Sequence, residues 1–317
     1  MTVTFHILVS DSLSTEGISL LKSIDAFHVD VQTGLTPAQL LEVIPNYHAL
    51  LVRSSTQVTK EVIEKGTQLR LIGRAGIGTD NIDVAAALKA GIKVMNTPDG
   101  NTVTTAEHAI SLLMSLARNI PQATASLKAG QWEKSAYKGT EIRGKTLGLI
   151  GFGKIGSIVA SLAQGLQMKV VAHDPLLTTE KAAEHKISLS FFDDLLAQSD
   201  FISIHAPLIP KTHHLINAEA FSKMKKGVFL INAARGGIVD ENALLMALES
   251  GKVKGAALDV FEQEPPAKDY ALLGHPRVIA TPHLGASTTE AQDRVALQLA
   301  EQTYGFFLKN ELRNCLA

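Results

Sequence analysis

Short apolar runs alternate with longer helical patterns along this whole chain, and that alternation restricts its fold more than any other feature. Such alternation belongs to a parallel sheet wrapped by helices. In the first part, strands are expected at 6–9, 27–31, 49–52, 69–73 and 93–96, with helical patterns such as 37–44 and 60–65 between them. Asn96-Thr97-Pro98-Asp99-Gly100-Asn101 then gives a concentrated break. A helix over about 104–118 follows, apolar on several sides and so expected to be buried. A second series of strands is expected at 146–150, 169–172, 201–204, 228–231, 256–258 and 278–280. Six strands of this kind suit a full doubly wound dinucleotide fold. A last long helix, at about 288–308, is expected to return to the first domain. A length of 317 residues fits two domains rather than one.

Composition narrows the function classes. The net charge is −1 and the sequence pI about 6.8, which argues against nucleic acid or an acidic membrane as the main partner. The single cysteine, Cys315, allows no disulfide within the chain and no cysteine metal cluster, and no metal is expected. No apolar stretch has the length needed to span a bilayer, and the first residues read as a strand rather than a signal peptide. The expectation is a soluble protein of a reducing compartment, the cytoplasm.

Gly151-Phe152-Gly153-Lys154-Ile155-Gly156 follows the expected strand 146–150 and opens a helix expected at 157–166. In that context the glycines have separate tasks: Gly151 permits the tight turn, Gly153 lets backbone approach a pyrophosphate, and Gly156 lets helix pack on strand. The helix N-terminus favours the phosphate charge. Asp174 ends the next strand, near the spacing of an acid that binds both ribose hydroxyls. A carboxylate there repels a 2′-phosphate, so NAD is favoured over NADP.

Arg235, Glu264 and His283 each lie beyond the end of an expected strand, where open α/β sheets bind ligands. Oxidation of a 2-hydroxy acid removes a proton from oxygen while hydride leaves carbon. Histidine suits the proton, its pKa lying near working pH. A neighbouring carboxylate favours the protonated imidazole, and a guanidinium matches a substrate carboxylate bidentately. Taken singly, each residue has a plainer reading: a packed loop histidine, a solvated acidic loop, a surface arginine before a helix cap.

Together, 232–240, 256–266 and 281–287 closely resemble the D-isomer-specific 2-hydroxyacid dehydrogenases. In the first half, 73–83, 94–101 and 117–123 are similar to the branch of that family acting on 3-phosphoglycerate. The resemblance implies an α/β fold of two doubly wound parallel-sheet domains, with a Rossmann NAD-binding domain (99–286) inserted into a flavodoxin-like substrate domain (1–98 and 287–317). It implies that Arg235, Glu264 and His283 form a catalytic triad. It places cofactor contacts at Ile77, Lys154, Ile155, Asp174, Ala206, Pro207, Thr212, Ala233, Ala234, Arg235, Asp259, His283, Gly285 and Ala286, besides the turn glycines. Asp259 would bond the nicotinamide amide. A homodimer built through the NAD domains is also implied.

A phosphorylated substrate needs a second anion site. Arg53, followed by Ser54, and Arg74 both follow expected strands, and two arginines can clamp a phosphate; the alternative is that they cap strands or pair with Asp80 and Asp83. The resemblance adds Gly76 and Asn101 as substrate contacts, and an arm at Gln131-Trp132-Glu133-Lys134 presented to a dimer partner. Lys134 stands where relatives often carry arginine, Ala206 where threonine is common, and Ile77 where a small polar residue is common. The expected activity is NAD-dependent oxidation of 3-phospho-D-glycerate to 3-phosphohydroxypyruvate, in serine biosynthesis. The rival within the enzyme class is a glyoxylate or hydroxypyruvate reductase; outside it, an NAD-sensing corepressor-like binding protein. With the chain ending near Ala317, no serine-binding regulatory domain and no feedback by serine through one are expected.

Overall fold

The structure, a computed structural model, describes residues 4–316. It divides into two compact units, 4–101 with 286–316 and Thr102–Gly285, so that the second interrupts the first in sequence.

In the first unit, β1 (Phe5–Val9), β2 (Phe27–Val31), β3 (Ala49–Val52), β4 (Leu71–Arg74) and β5 (Lys93–Asn96) form one sheet. Its order is β2-β1-β3-β4-β5 and all pairs are parallel, the flavodoxin-like arrangement. All four residues of the central β3 are buried, as a strand covered on both faces requires. The helix Pro37–Val43 opens with a reciprocal cap between Thr36 and Gln39 and a proline in its first turn, which needs no N–H there. The long helix Thr289–Lys309 packs in this unit, where Val295, Ala296 and Leu299 join Ile7, Val9, Leu51 and Leu71 in one core. It also crosses the helix Thr15–Lys22 at Gly17, where a Cβ would lie 2.6 Å from that of Ala296. Strand β4 starts at Leu71 and runs through Arg74, two residues later than the expected start, and Arg70 instead lies over the rings of Phe5, Phe306 and Phe307.

The second unit contains β6 (Thr146–Ile150), β7 (Lys169–His173), β8 (Ser188–Leu189), β9 (Phe201–Ile204), β10 (Val228–Asn232), β11 (Val253–Leu258) and β12 (Val278–Ala280). The order is β12-β11-β10-β9-β6-β7-β8, again all parallel. The strand order reverses between β6 and β9, where such sheets open a crevice beyond the strand ends. Seven strands replace the six expected; β8 has two exposed residues and no apolar run to announce it. The helix after the glycine turn is Lys154–Gly165, starting three residues before the expected position because the extended Gly153 already serves as its N-cap. The helix Thr102–Arg118 buries Ala106, Ala109, Leu112, Leu113 and Leu116 in a core shared with Phe229, Ile231 and Ala257. Among the described residues, no helix is long and apolar enough to cross a membrane.

Candidate active site

The glycine turn is built against the point where strand order reverses. Gly151 has φ +94°, and a Cβ on it would lie 2.6 Å from the carbonyl group of His205, which directly follows β9. The His205 N–H donates to the Ile150 carbonyl at 2.7 Å, locking the two strand ends together. A Cβ on Gly156 would lie 2.5 Å from the Gly151 carbonyl oxygen, so the first helical turn sits directly on the loop. Gly153 differs: nothing lies within 4 Å of its Cβ position, and it is the N-cap of a helix whose first N–H groups favour an anion. Asp174, one residue beyond β7, accepts the Phe152 N–H at 2.7 Å and the Leu176 N–H at 2.8 Å. An open glycine, a helix N-terminus and a carboxylate held beside them fit the pyrophosphate and ribose of a dinucleotide.

Behind the turn, Ser203 Oγ lies 2.9 Å from His205 Nε2, and burial pushes the His205 imidazole down to about 4, so it is neutral. Ala206 and Pro207 follow in the loop beyond β9. The Thr212 hydroxyl donates to the Pro207 carbonyl at 2.6 Å and accepts the Ile209 N–H at 2.8 Å, so it shapes that loop.

Beyond β10, Asn232 holds the next turn from both sides: its Nδ2 donates to the Arg235 carbonyl at 2.9 Å and its Oδ1 accepts the Ala234 N–H at 3.1 Å. Arg235 Nη1 donates to the Ala234 carbonyl at 2.7 Å. A Cβ on Gly236 would lie 1.8 Å from the Phe261 carbonyl oxygen, so the backbone after Arg235 packs directly on the segment leading to Glu264. The two glutamates of Glu262-Gln263-Glu264 go to different histidines. Glu262 Oε1 lies 2.9 Å from His214 Nε2, whereas Glu264 Oε2 lies 2.7 Å from His283 Nδ1 and Oε1 accepts the Phe261 N–H at 3.1 Å. The bond from Glu264 raises the His283 pKa above its ordinary value, with burial and Arg235 opposing. Burial pushes Glu264 upward, but the bonds from His283 and Phe261 outweigh it and leave its pKa lowered.

His283 itself is in the left-handed region, with φ +54°, a conformation that a non-glycine residue keeps only where its surroundings hold it. Its N–H donates to the carbonyl oxygens of Asp259 (2.9 Å) and Thr281 (3.0 Å). Asp259 is 1% exposed, and its carboxylate accepts from Thr281 Oγ1 at 2.6 Å and from the N–H groups of Leu284 (2.7 Å) and Gly285 (2.8 Å). His108 Nε2, from the helix Thr102–Arg118, lies 3.1 Å from the same carboxylate. Ala233 and Ala234 precede Arg235 on the β10 turn, and Lys154 and Ile155 open the helix after the glycine turn.

In the first unit, Arg53 and Arg74 stand at neighbouring strand ends, since Val52 pairs with Arg74. Asp11, 4% exposed, accepts the N–H groups of Arg53 (2.6 Å), Ser55 (3.2 Å) and Thr56, while Asn81 Nδ2 donates to the carbonyls of Arg53 (2.9 Å) and Thr56 (2.7 Å). The loop that includes Ser54 is thereby held through both its N–H groups and its carbonyls. Asp83 caps the helix Val84–Lys89 by accepting the Ala86 N–H, which gives that acid a structural task. Gly76, with φ +136°, leaves the space in which the Arg74 guanidinium lies. The Gly76 N–H donates to Thr97 Oγ1 at 2.6 Å, and Asn96 Nδ2 donates to the Ile77 carbonyl at 2.7 Å. Asn101 is buried and Ala286 half-buried. Trp132 and Lys134, in the second unit, are exposed.

Asp11 and His108 carry no role in the sequence analysis, and Asn81 and Thr281 enter it only inside the runs 73–83 and 281–287. His108 did leave a signal, as an ionisable side chain beside the apolar run of a helix expected to be buried. Neither Asp11 nor Asn81 announces its role locally, since both act on a loop 25 or more residues away in sequence.

Residues 110–285 match the family described as D-isomer specific 2-hydroxyacid dehydrogenase, NAD binding domain. Over 296 residues the chain is 49% identical to a D-3-phosphoglycerate dehydrogenase of Synechocystis, covering 93% of this chain and 53% of that protein. It is likewise 49% identical to the D-3-phosphoglycerate dehydrogenase of Bacillus subtilis, covering 95% of this chain and 57% of that one. The chain thus spans about half the length of the curated relatives it matches. Among solved structures, a protein of Thermus thermophilus superimposes with a TM-score of 0.92 at 32% identity, over 98% of this chain and 100% of that one. A glyoxylate reductase from Paecilomyes thermophila does so with a TM-score of 0.90 at 31% identity, over 100% and 99%.

Proposed function

The chain belongs to the D-isomer-specific 2-hydroxyacid dehydrogenases, and from that premise we propose that it oxidises 3-phospho-D-glycerate to 3-phosphohydroxypyruvate with NAD, as a step of serine biosynthesis. The observation that carries this proposal is the His283–Glu264 pair, 2.7 Å apart beyond the sheet's strand ends, in a chain similar to several D-3-phosphoglycerate dehydrogenases.

In this reading Arg235 holds the substrate carboxylate through its planar guanidinium. His283 takes the hydroxyl proton on Nε2, because Nδ1 faces Glu264, and the carboxylate stabilises the imidazolium that results. Glu264 also fixes the ring's orientation, which favours one proton acceptor over two. NAD, when bound, supplies the acceptor for the hydride leaving C2. Gly151, Gly153 and Gly156, with Lys154 and Ile155, hold its pyrophosphate; Asp174 accepts its ribose hydroxyls and repels a 2′-phosphate. Residues 283–286, with Ile77, Ala206, Pro207, Thr212, Ala233, Ala234 and Asp259, complete the cofactor site. Arg53, Ser54 and Arg74 take the substrate phosphate, and Gly76 and Asn101 contact the substrate. The protein acts as a cytoplasmic homodimer, with Lys134 of the arm at 131–134 reaching the partner's substrate.

The likeness to a glyoxylate reductase supports a second reading, reduction of small unphosphorylated 2-keto acids. NADH oxidation measured in parallel with 3-phosphohydroxypyruvate, hydroxypyruvate and glyoxylate separates the two. A kcat/KM about 100-fold higher for the phosphorylated substrate, near 2.7 kcal/mol of discrimination, is expected. Equal or reversed rates would move the protein to the general hydroxyacid reductases.

A further inference from the structure

We propose that His108 is a positioning residue for this active site, setting the loop of His283 through the carboxylate of Asp259. The inference rests on the activity proposed above, but the geometry behind it lies wholly within the second unit. Asp259 Oδ1 faces three groups: Thr281 Oγ1 at 2.6 Å, the Leu284 N–H at 2.7 Å and His108 Nε2 at 3.1 Å. Oδ2 accepts the Gly285 N–H at 2.8 Å. Three of these donors belong to the 281–285 stretch that carries His283. The fourth comes from a different element, the 17-residue helix packed in the core of the unit.

A carboxylate that is 1% exposed persists as an anion only if its oxygens are satisfied. Burial pushes Asp259 upward, yet the bonds from His108, Thr281 and Leu284 outweigh it and hold its pKa below the ordinary value. The carboxylate partner places the His108 proton on Nε2. His108 Nε2 lies 3.1 Å from Asp259 Oδ1 and 3.3 Å from Thr281 Oγ1, so it bears on the carboxylate and on the hydroxyl bonded to it; the carboxylate then fixes the N–H groups of Leu284 and Gly285, on the carboxyl side of His283. The same helix touches this loop once more, since a Cβ on Gly285 would lie 3.4 Å from Thr105 Cγ2. His283, held at φ +54°, is the residue most exposed to any slackening of that support, because its conformation is set by neighbours rather than by its own preference.

The test compares His108→Gln, whose amide nitrogen can occupy the Nε2 position, with His108→Asn, whose shorter side chain cannot reach Asp259, and with His108→Leu. Two quantities are measured on the whole protein: kcat and KM for the best of the three keto acids, and the NADH dissociation constant from nicotinamide fluorescence. His108→Asn and His108→Leu are expected to lower kcat about tenfold, the scale of one lost hydrogen bond to a charged group. They should also weaken NADH by roughly threefold or more, with the keto-acid KM moving less than kcat. His108→Gln should restore both to within about threefold of wild type. Wild-type values in His108→Asn, or a His108→Gln as impaired as His108→Asn, would overturn the proposal in favour of simple packing. If His108→Leu does not fold, the isopolar Asn and Gln pair decides. A wild type that oxidises NADH with none of the three keto acids would sink the proposed activity instead, and the NADH titration alone would then judge His108.

Discussion

Asp174 accepts the backbone N–H of Phe152 at 2.7 Å, which ties the acid beyond β7 to the middle of the glycine turn beyond β6. One carboxylate therefore shapes the turn and presents negative charge where the ribose is proposed to lie. Asp174→Ala removes both effects. It should raise the NAD KM roughly tenfold and narrow the preference for NAD over NADP, the loss being that of hydrogen bonds to a charged group. Steady-state kinetics with both cofactors measures this; an unchanged ratio would mean that another group reads the ribose.

The His283–Glu264 pair gives a signed pH dependence. His283 is raised, chiefly by its bond to Glu264, so its contribution to stability is complete below about 6.5 and is lost as pH rises through the raised value. Glu264 is lowered, so its contribution is complete above about 4.5 and is lost as pH falls through the lowered value. The pair thus supports the fold most strongly between these limits. For catalysis, neutral His283 is the form that accepts a proton, so kcat/KM for hydroxy-acid oxidation should rise with pH through a midpoint above 6.5, and keto-acid reduction should fall through it. Glu264→Gln should move that midpoint downward. A midpoint that stays in place would separate Glu264 from the titration of His283.

Replacing the proposed base gives a sharper loss. His283→Ala should lower kcat by roughly 100-fold or more, the scale of general acid–base catalysis, while NADH affinity measured by fluorescence changes little. Retained turnover would take His283 out of the role.

The strands are legible because a parallel strand covered on both faces is apolar throughout; β3 and β9 are buried at every position and span the apolar runs that announce them. The edge strand β8 was invisible because its two residues are exposed and its pairing is set by the neighbouring β7. The glycine turn is legible since its spacing is local, whereas the helix starts earlier than its sequence suggests because Gly153 does not look like a side-chain cap. In Glu262-Gln263-Glu264, Glu264 is expected from the resemblance rather than from composition, and the fold gives Glu262 to His214 and Glu264 to His283. Asp11 and His108 act across 42 and 151 residues of sequence respectively, and no local periodicity encodes such partners.

The loop after β3 bears on substrate choice. Asp11 accepts from N–H groups of 53–56 and Asn81 donates to its carbonyls, so Arg53 stands on a fixed frame, its Nη1 donating to the Ser12 carbonyl at 3.3 Å. Arg53→Ala should raise the KM for 3-phosphohydroxypyruvate by roughly tenfold or more and leave that for hydroxypyruvate within about threefold, because a lost charge-assisted pair matters only to the phosphorylated substrate. Equal effects on both substrates would place Arg53 outside the phosphate site and favour the glyoxylate reductase reading.

Gly236 couples Arg235 to Glu264 through backbone alone. An added Cβ would lie 1.8 Å from the Phe261 carbonyl oxygen and 2.2 Å from its carbon, and neither atom is the free end of a side chain that can swing away. Gly236→Ala must therefore push apart the turn that carries Arg235 and the segment from which Glu264 reaches His283. Overpacking of this kind costs about 1–3 kcal/mol, so thermal unfolding should shift downward by several degrees, on the order of 2–4 °C per kcal/mol for a protein of this size. Activity should fall further than stability explains, because the displaced groups are those proposed to hold the substrate and the base. Gly165→Ala is the control: its Cβ meets nothing within 4 Å, its φ is not positive, and it ends a helix that alanine favours. It should keep wild-type kcat with unchanged or slightly raised stability. If Gly236→Ala kept full activity at temperatures where it remains folded, the tie between Arg235 and Glu264 would have no catalytic weight.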